Sequence, residues 1–158
     1  MKRHLISALA VLAIMCGCES GIGYSSYDST DSNFVLGDNN LVGVWDIVKY
    51  EALSRSGESL KETSNSGEIS ATYRKFAMTA DLQMSIWYGS YETAVMTVGF
   101  GYDSSMKILM YGDTGYADVE VLTKDSLVFV GQNFAPLEWY DNASIYSVRT
   151  TCVKEQEE

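Results

Sequence analysis

The residues able to do chemistry are few. The chain has one histidine, His4, and three cysteines, Cys16, Cys18 and Cys152, with 21 carboxylates against 11 lysines and arginines. His4 belongs to a basic start, Lys2-Arg3-His4, ahead of the apolar run Leu5 to Met15. Together they read as a secretory signal. Once it is removed no histidine remains, which excludes a His-dependent triad and a His-ligated metal. Cys16 leaves with the signal and Cys152 has no cysteine to pair with, so it reads as a small buried hydrophobe. Carboxylate pairs are the remaining catalytic route: Asp118 and Glu120 share a strand face, and Glu138 lies in a loop. Acid–base work needs two carboxylates roughly 5–10 Å apart in a cleft, and solvated surface accounts for these three more simply. Asp28, Asp31 and Asp113 lack calcium-loop spacing, and Gly99-x-Gly101 lacks the strand–turn–helix setting of a phosphate loop. The residues therefore predict no catalytic site, no metal and no cofactor. A net charge of −10 argues against nucleic acid, which needs a basic face.

The remaining chemistry is at Cys18. The apolar run before it is shorter than the roughly 20 residues of a membrane-spanning helix. It ends Met15-Cys16-Gly17-Cys18, which resembles the lipobox of bacterial lipoproteins: an apolar residue, two small ones, then cysteine. Met and Cys stand where Leu and Ala or Ser are usual. The resemblance implies cleavage after Gly17, diacylglycerol on the Cys18 thiol and an acyl chain on its amine. Several chains anchor stably where one does not, so the implied partner is a lipid bilayer. Glu19 follows the anchor, where an Asp would suggest inner-membrane retention. An outer-membrane lipoprotein of a bacterial cell envelope, facing the periplasm, is the expected location.

Residues 1–17 are thus expected to be signal peptide and 18–40 a lipid-anchored tether rich in Ser, Gly, Asp and Asn. As a flexible coil the tether would hold a domain roughly 25 Å from the membrane, with Phe34-Val35-Leu36 free to pack on the domain's base. A single domain over 41–154 and an acidic tail, 155–158, complete the chain. Within the domain, short runs rich in Val, Ile, Thr and aromatics alternate with turn residues. They predict eight strands, at 42–52, 69–79, 82–89, 94–102, 106–111, 115–123, 126–131 and 144–153. Tight connections at Ala80-Asp81, Gly112–Thr114 and Lys124-Asp125 join consecutive strands. The expected fold is an all-β, eight-stranded antiparallel up-and-down barrel, whose closure removes exposed edges. Alternation places Met84, Ile86 and Tyr88 on one inward face, Met96, Val98, Phe100 and Tyr102 on a second, and Ala117, Val119 and Val121 on a third. Tyr73, Trp87 and Tyr111 are expected outside, as marks of a protein contact.

The opening Leu41-Val42-Gly43-Val44-Trp45 resembles the Gly-x-Trp start of the lipocalin superfamily. Phe76 to Met84 resembles the second hairpin of bacterial lipocalin-like lipoproteins, with Leu82 where their turn usually has Gly, and Val121 to Phe129 resembles their late hairpin. Arg149, on the last strand, sits where the superfamily often stacks an arginine over the tryptophan. The resemblance implies barrel closure through Gly43, Trp45 and Arg149, and a non-catalytic binder of a small apolar or amphipathic molecule. The alternative from another class is a cell-envelope interaction module with a filled barrel, binding protein or glycan through its loops.

Loop lengths add an argument of their own. Connections 53–68 and 132–143 are long, and alternation puts both at one end of the barrel. That end is the expected mouth, with Phe134, Trp139 and Tyr140 as an apolar rim. A ligand entering there is expected to reach Met84, Tyr88, Phe100 and Met110.

Overall fold

The computed structural model describes residues 36–65, 73–132 and 134–156. Nine strands form one antiparallel sheet: β1 (Gly43–Leu53), β2 (Ser59–Ser64), β3 (Tyr73–Met78), β4 (Gln83–Tyr88), β5 (Met96–Asp103), β6 (Ile108–Tyr111), β7 (Gly115–Leu122), β8 (Ser126–Gly131) and β9 (Ser147–Lys154). From β3 to β9 each strand pairs with the next, and β9 returns to β1 along eight register pairs, from Trp45↔Lys154 to Leu53↔Ser147. The sheet is a closed barrel, so only β2 keeps a side without a strand partner among the described residues.

Nine strands make eight staves. β2 and β3 lie end to end on the same side of β1: Lys49–Leu53 pairs with β2 and Gly43–Asp46 with β3. Of the connection expected over 53–68, residues 53–65 are therefore a tight turn followed by a strand, and 66–68 lie outside the described residues. Ser54 and Glu58 close that turn by a backbone hydrogen bond of 2.9 Å. The sequence Ser-Leu-Lys-Glu-Thr-Ser reads as loop because it has little apolar alternation, and β2 is mostly exposed. It pairs because β1 is longer than one stave of the barrel needs.

Three bulges reset the inward face; in β3 the register with β4 shifts between Tyr73 and Lys75, which turns Tyr73 inward opposite Tyr88. In β1 the register with β9 shifts between Ile47 and Lys49, so Trp45, Ile47, Tyr50 and Ala52 all point inward and are buried. In β7 it shifts between Val119 and Val121. Ala117 and Val119 are buried as expected, but Val121, expected inside, turns outward and is 40% exposed.

One end, the base, holds the β3–β4, β5–β6 and β7–β8 turns and the incoming chain. Residues 36–40, expected to be tether, join the barrel here. Leu36 bridges to Tyr102, and a 3-10 turn at Asn39–Leu41, capped by the Asp38 side chain, buries Leu41 completely. The Leu82 position is informative: its φ of 62° is the left-handed conformation for which glycine is the usual choice. The opposite end, the mouth, holds the β1–β2, β4–β5 and β6–β7 turns and the long 132–146 segment. The first and last meet directly: Tyr146 N–H donates to Leu53 O at 2.8 Å, and Lys61 lies 4.6 Å from the Trp139 ring centre.

Candidate functional site

The base is closed by a cation over an indole, but the cation is not Arg149. Trp45 is fully buried and its Nε1 donates to Leu41 O at 2.8 Å. Lys154 Nζ stands 4.7 Å from the ring centre and donates to Asn40 O and Val42 O, at 2.6 and 2.8 Å. Gly43, at φ 139°, makes room for it, since an added Cβ would lie 3.2 Å from the lysine's methylenes. Arg149 lies on the other face of β9. Its guanidinium grips Glu120 with two bonds, at 2.7 and 3.0 Å, and Glu51 with a third at 2.7 Å. This pairing holds the Glu51 carboxyl below its ordinary range. The stacking expected of Arg149 is thus replaced by Lys154, for a reason of parity. Val148, Thr150 and Cys152 are buried, so even-numbered residues of β9 face inward and Lys154 continues that face.

Above the base the barrel is filled. Met84 and Phe100 are fully buried; they are core, not pocket wall. Phe134 is the plug. The 132–146 segment dips inward and drives this ring among Tyr73, Phe76, Tyr111 and Phe129, with centroids 5.1–5.7 Å away and largely edge-to-face geometry. Trp139 is also buried: it meets Tyr50 edge-on at 6.4 Å, and its Nε1 donates to Glu138 at 3.0 Å. Of the three residues expected on the rim, only Tyr140 is exposed.

Over Phe134 a cavity of about 390 Å³ opens at the mouth. Its floor and walls are Phe134, Ile86, Tyr73, Tyr111, Val98 and Tyr140, and the Gly112–Gly115 turn forms its lip. None of Met84, Tyr88, Phe100 or Met110 belongs to this wall. Met110 is turned away, because β6 buries Leu109 and Tyr111 and directs Ile108 and Met110 outward. Tyr88 is half-buried, with its ring 5.3 Å from that of Tyr73. Tyr73 and Tyr111, expected outside, are wall residues instead; Trp87 does lie outside, under Lys75. The hairpin carries the signal that locates Tyr111. Tyr111 pairs with Gly115 and Leu109 with Ala117, cross-strand partners share a face, and Ala117 is inward. Gly115 has no side chain because the Tyr111 ring lies across it.

The cavity's polar side chains are the phenols of Tyr73, Tyr111 and Tyr140, with Asp113 and Thr114 at the lip. Burial pushes Tyr111 well above the ordinary tyrosine range, and Tyr73 and Tyr140 also upward, so all three are protonated donors. The Tyr111 hydroxyl is buried with no hydrogen-bond partner among the described residues. The carboxylates considered for acid–base chemistry lie elsewhere: Asp118 is exposed on the outer face, Glu120 is held by Arg149 and Glu138 by Trp139. Cys152 is fully buried, and burial raises its thiol. Among the described residues no three His, Cys, Asp or Glu side chains gather as a metal site, and no helix is long and apolar enough to cross a membrane. Cys18 lies outside the described residues.

Comparison of the sequence with protein-family models gives no match, and comparison with curated proteins gives none. Among solved structures, the chain is similar to the bovine lipocalin allergen Bos d 2, at 15% identity over 75% of each chain and a TM-score of 0.39.

Proposed function

We propose that this chain is a non-catalytic binder of a small apolar or amphipathic molecule, carried on a bacterial cell-envelope membrane by acylated Cys18. The observation that carries the binding reading is the mouth cavity above Phe134. At about 390 Å³ it stands at the small end of ligand pockets, which run roughly 300–1,000 Å³. Its walls combine aromatic and aliphatic surface with a few donors, the usual composition of such sites. The anchoring reading rests on the lipobox resemblance at Met15–Cys18 and on the basic, apolar start before it. Mass spectrometry of small molecules extracted from natively purified protein tests the first. A compound retained by the native chain and lost from Val98→Trp, which fills the cavity, is the expected result; identical extracts from both would refute it. Cys18→Ser tests the second: the variant should lose its acyl chains and leave the membrane fraction.

A second reading, a partner-binding module of the envelope, is favoured by the exposed apolar side chains around the mouth. Leu137, Tyr140 and Tyr146 are each half or more exposed, and the barrel below them is filled. Under this reading the Val98→Trp variant keeps its partner and Leu137→Asp loses it.

A further inference from the structure

The chemistry of the mouth cavity restricts what it can hold. The argument rests on the reading that this cavity binds a small molecule. Among the described residues its one charged wall side chain is Asp113, at the lip, and no lysine or arginine lines it. Lys61 and Lys75 lie over Trp139 and Trp87 instead, and Lys154 lies at the base. An anion entering would leave water for a site with an acidic lip and no lining cation, which desolvation and like-charge repulsion both oppose. The phenols of Tyr73, Tyr111 and Tyr140 are donors. Tyr111 is only 6% exposed, its ring forms wall, and its hydroxyl has no partner among the described residues. A buried donor without an acceptor is destabilising, and an acceptor supplied from outside would recover that loss. Thr114 at the lip is the other hydroxyl of the wall, while Phe134, Ile86, Val98 and Met96 are apolar.

We infer that the cavity selects a neutral, flat, apolar molecule bearing a hydrogen-bond acceptor such as a carbonyl or ether oxygen, received by Tyr111, and rejects carboxylate amphiphiles. The donor is closed to water as the chain stands. Tyr140 and Met96 are the half-exposed side chains of the wall, and a molecule that reaches the donor must move one of them.

Three naphthalenes of similar size separate the possibilities by calorimetric titration of the full chain at neutral pH: acetylnaphthalene, ethylnaphthalene and naphthoate. The ketone should bind roughly tenfold more tightly than the hydrocarbon, as one recovered hydrogen bond allows, and naphthoate should bind least. Tyr111→Phe should abolish the preference for the ketone. Naphthoate binding as tightly as the ketone overturns the inference, as does a preference that survives Tyr111→Phe. If ketone and hydrocarbon bind equally, the cavity remains a binding site and only the acceptor class falls. If none of the three binds, the binding reading falls and this inference with it. The comparison of probes on the native chain stands even where Tyr111→Phe fails to fold.

Discussion

Two basic residues on β9, Lys154 and Arg149, separate chemistry that looks interchangeable in the sequence. Lys154 is half-buried, donates to two backbone carbonyls of the incoming chain and lies over the Trp45 ring. Arg149 works on the outer surface, on two carboxylates that are partly open to water. Desolvated cation–π contacts and charge-assisted hydrogen bonds outweigh exposed ion pairs. Lys154→Ala should therefore cost about 2–3 kcal/mol and loosen the 3-10 turn at the base, while Arg149→Ala should cost about 1 kcal/mol or less. Urea denaturation of the two variants checks the order, and equal losses would remove the distinction. Trp139 is a similar case. Its burial against Tyr50, with Lys61 on its face, makes it part of the seal, so Trp139→Ala should cost roughly 3–5 kcal/mol. A variant that folds with native stability and fails only in binding would return Trp139 to the rim.

The 132–146 segment decides whether the barrel is hollow. Its described residues are irregular apart from a 3-10 turn at Leu137–Trp139, yet they place Phe134 among four core aromatics. Phe134→Ala should cost about 3–5 kcal/mol and deepen the mouth cavity toward Phe76 and Phe129. Larger apolar probes should then bind a variant that melts earlier; unchanged probe size would mean the segment collapses into the space. The pattern of strands and short turns is legible in the sequence because each β hairpin carries its own alternation and turn residues. Three features are not. β2 has the composition of a loop and is held by pairing with an overlong β1. The bulges at Val48 and Glu120 shift the period by one residue, which is how Val121 leaves the core. In β6 both faces are apolar, Leu109 and Tyr111 against Ile108 and Met110, so alternation alone cannot choose, and the choice comes from pairing with Gly115 and Ala117 across the hairpin. The depth of Phe134 is set by a segment without period, and no local pattern announces it. That is why the wall of the cavity, unlike the strands around it, had to be seen in three dimensions.

At the scale of the whole barrel, closure buries phenols and a thiol together. Tyr50 donates from its hydroxyl to Tyr73 O, Tyr111 lies against Phe134, and Cys152 is sealed on β9. Desolvation is the leading cause that raises all three above their ordinary values of 10.0, 10.0 and 9.0. The sign follows from linkage. A group whose proton is held more tightly in the folded chain contributes stability that is complete below its unfolded pKa. Above that value the unfolded chain releases the proton while the folded chain keeps it, so stability falls as pH rises. The loss begins near pH 9 with Cys152 and steepens above about 10 as Tyr50 and Tyr111 join, each adding roughly 1.4 kcal/mol per pH unit. Urea midpoints measured from neutral to alkaline pH should trace that bend, and tyrosinate absorbance from these two residues should appear only with unfolding. Cys152→Val should remove the early part of the decline and leave the later part. A midpoint that holds steady well past pH 10, with tyrosinate forming in the folded chain, would mean that water reaches Tyr50 and Tyr111. The mouth cavity would then extend below Phe134 into the body of the barrel.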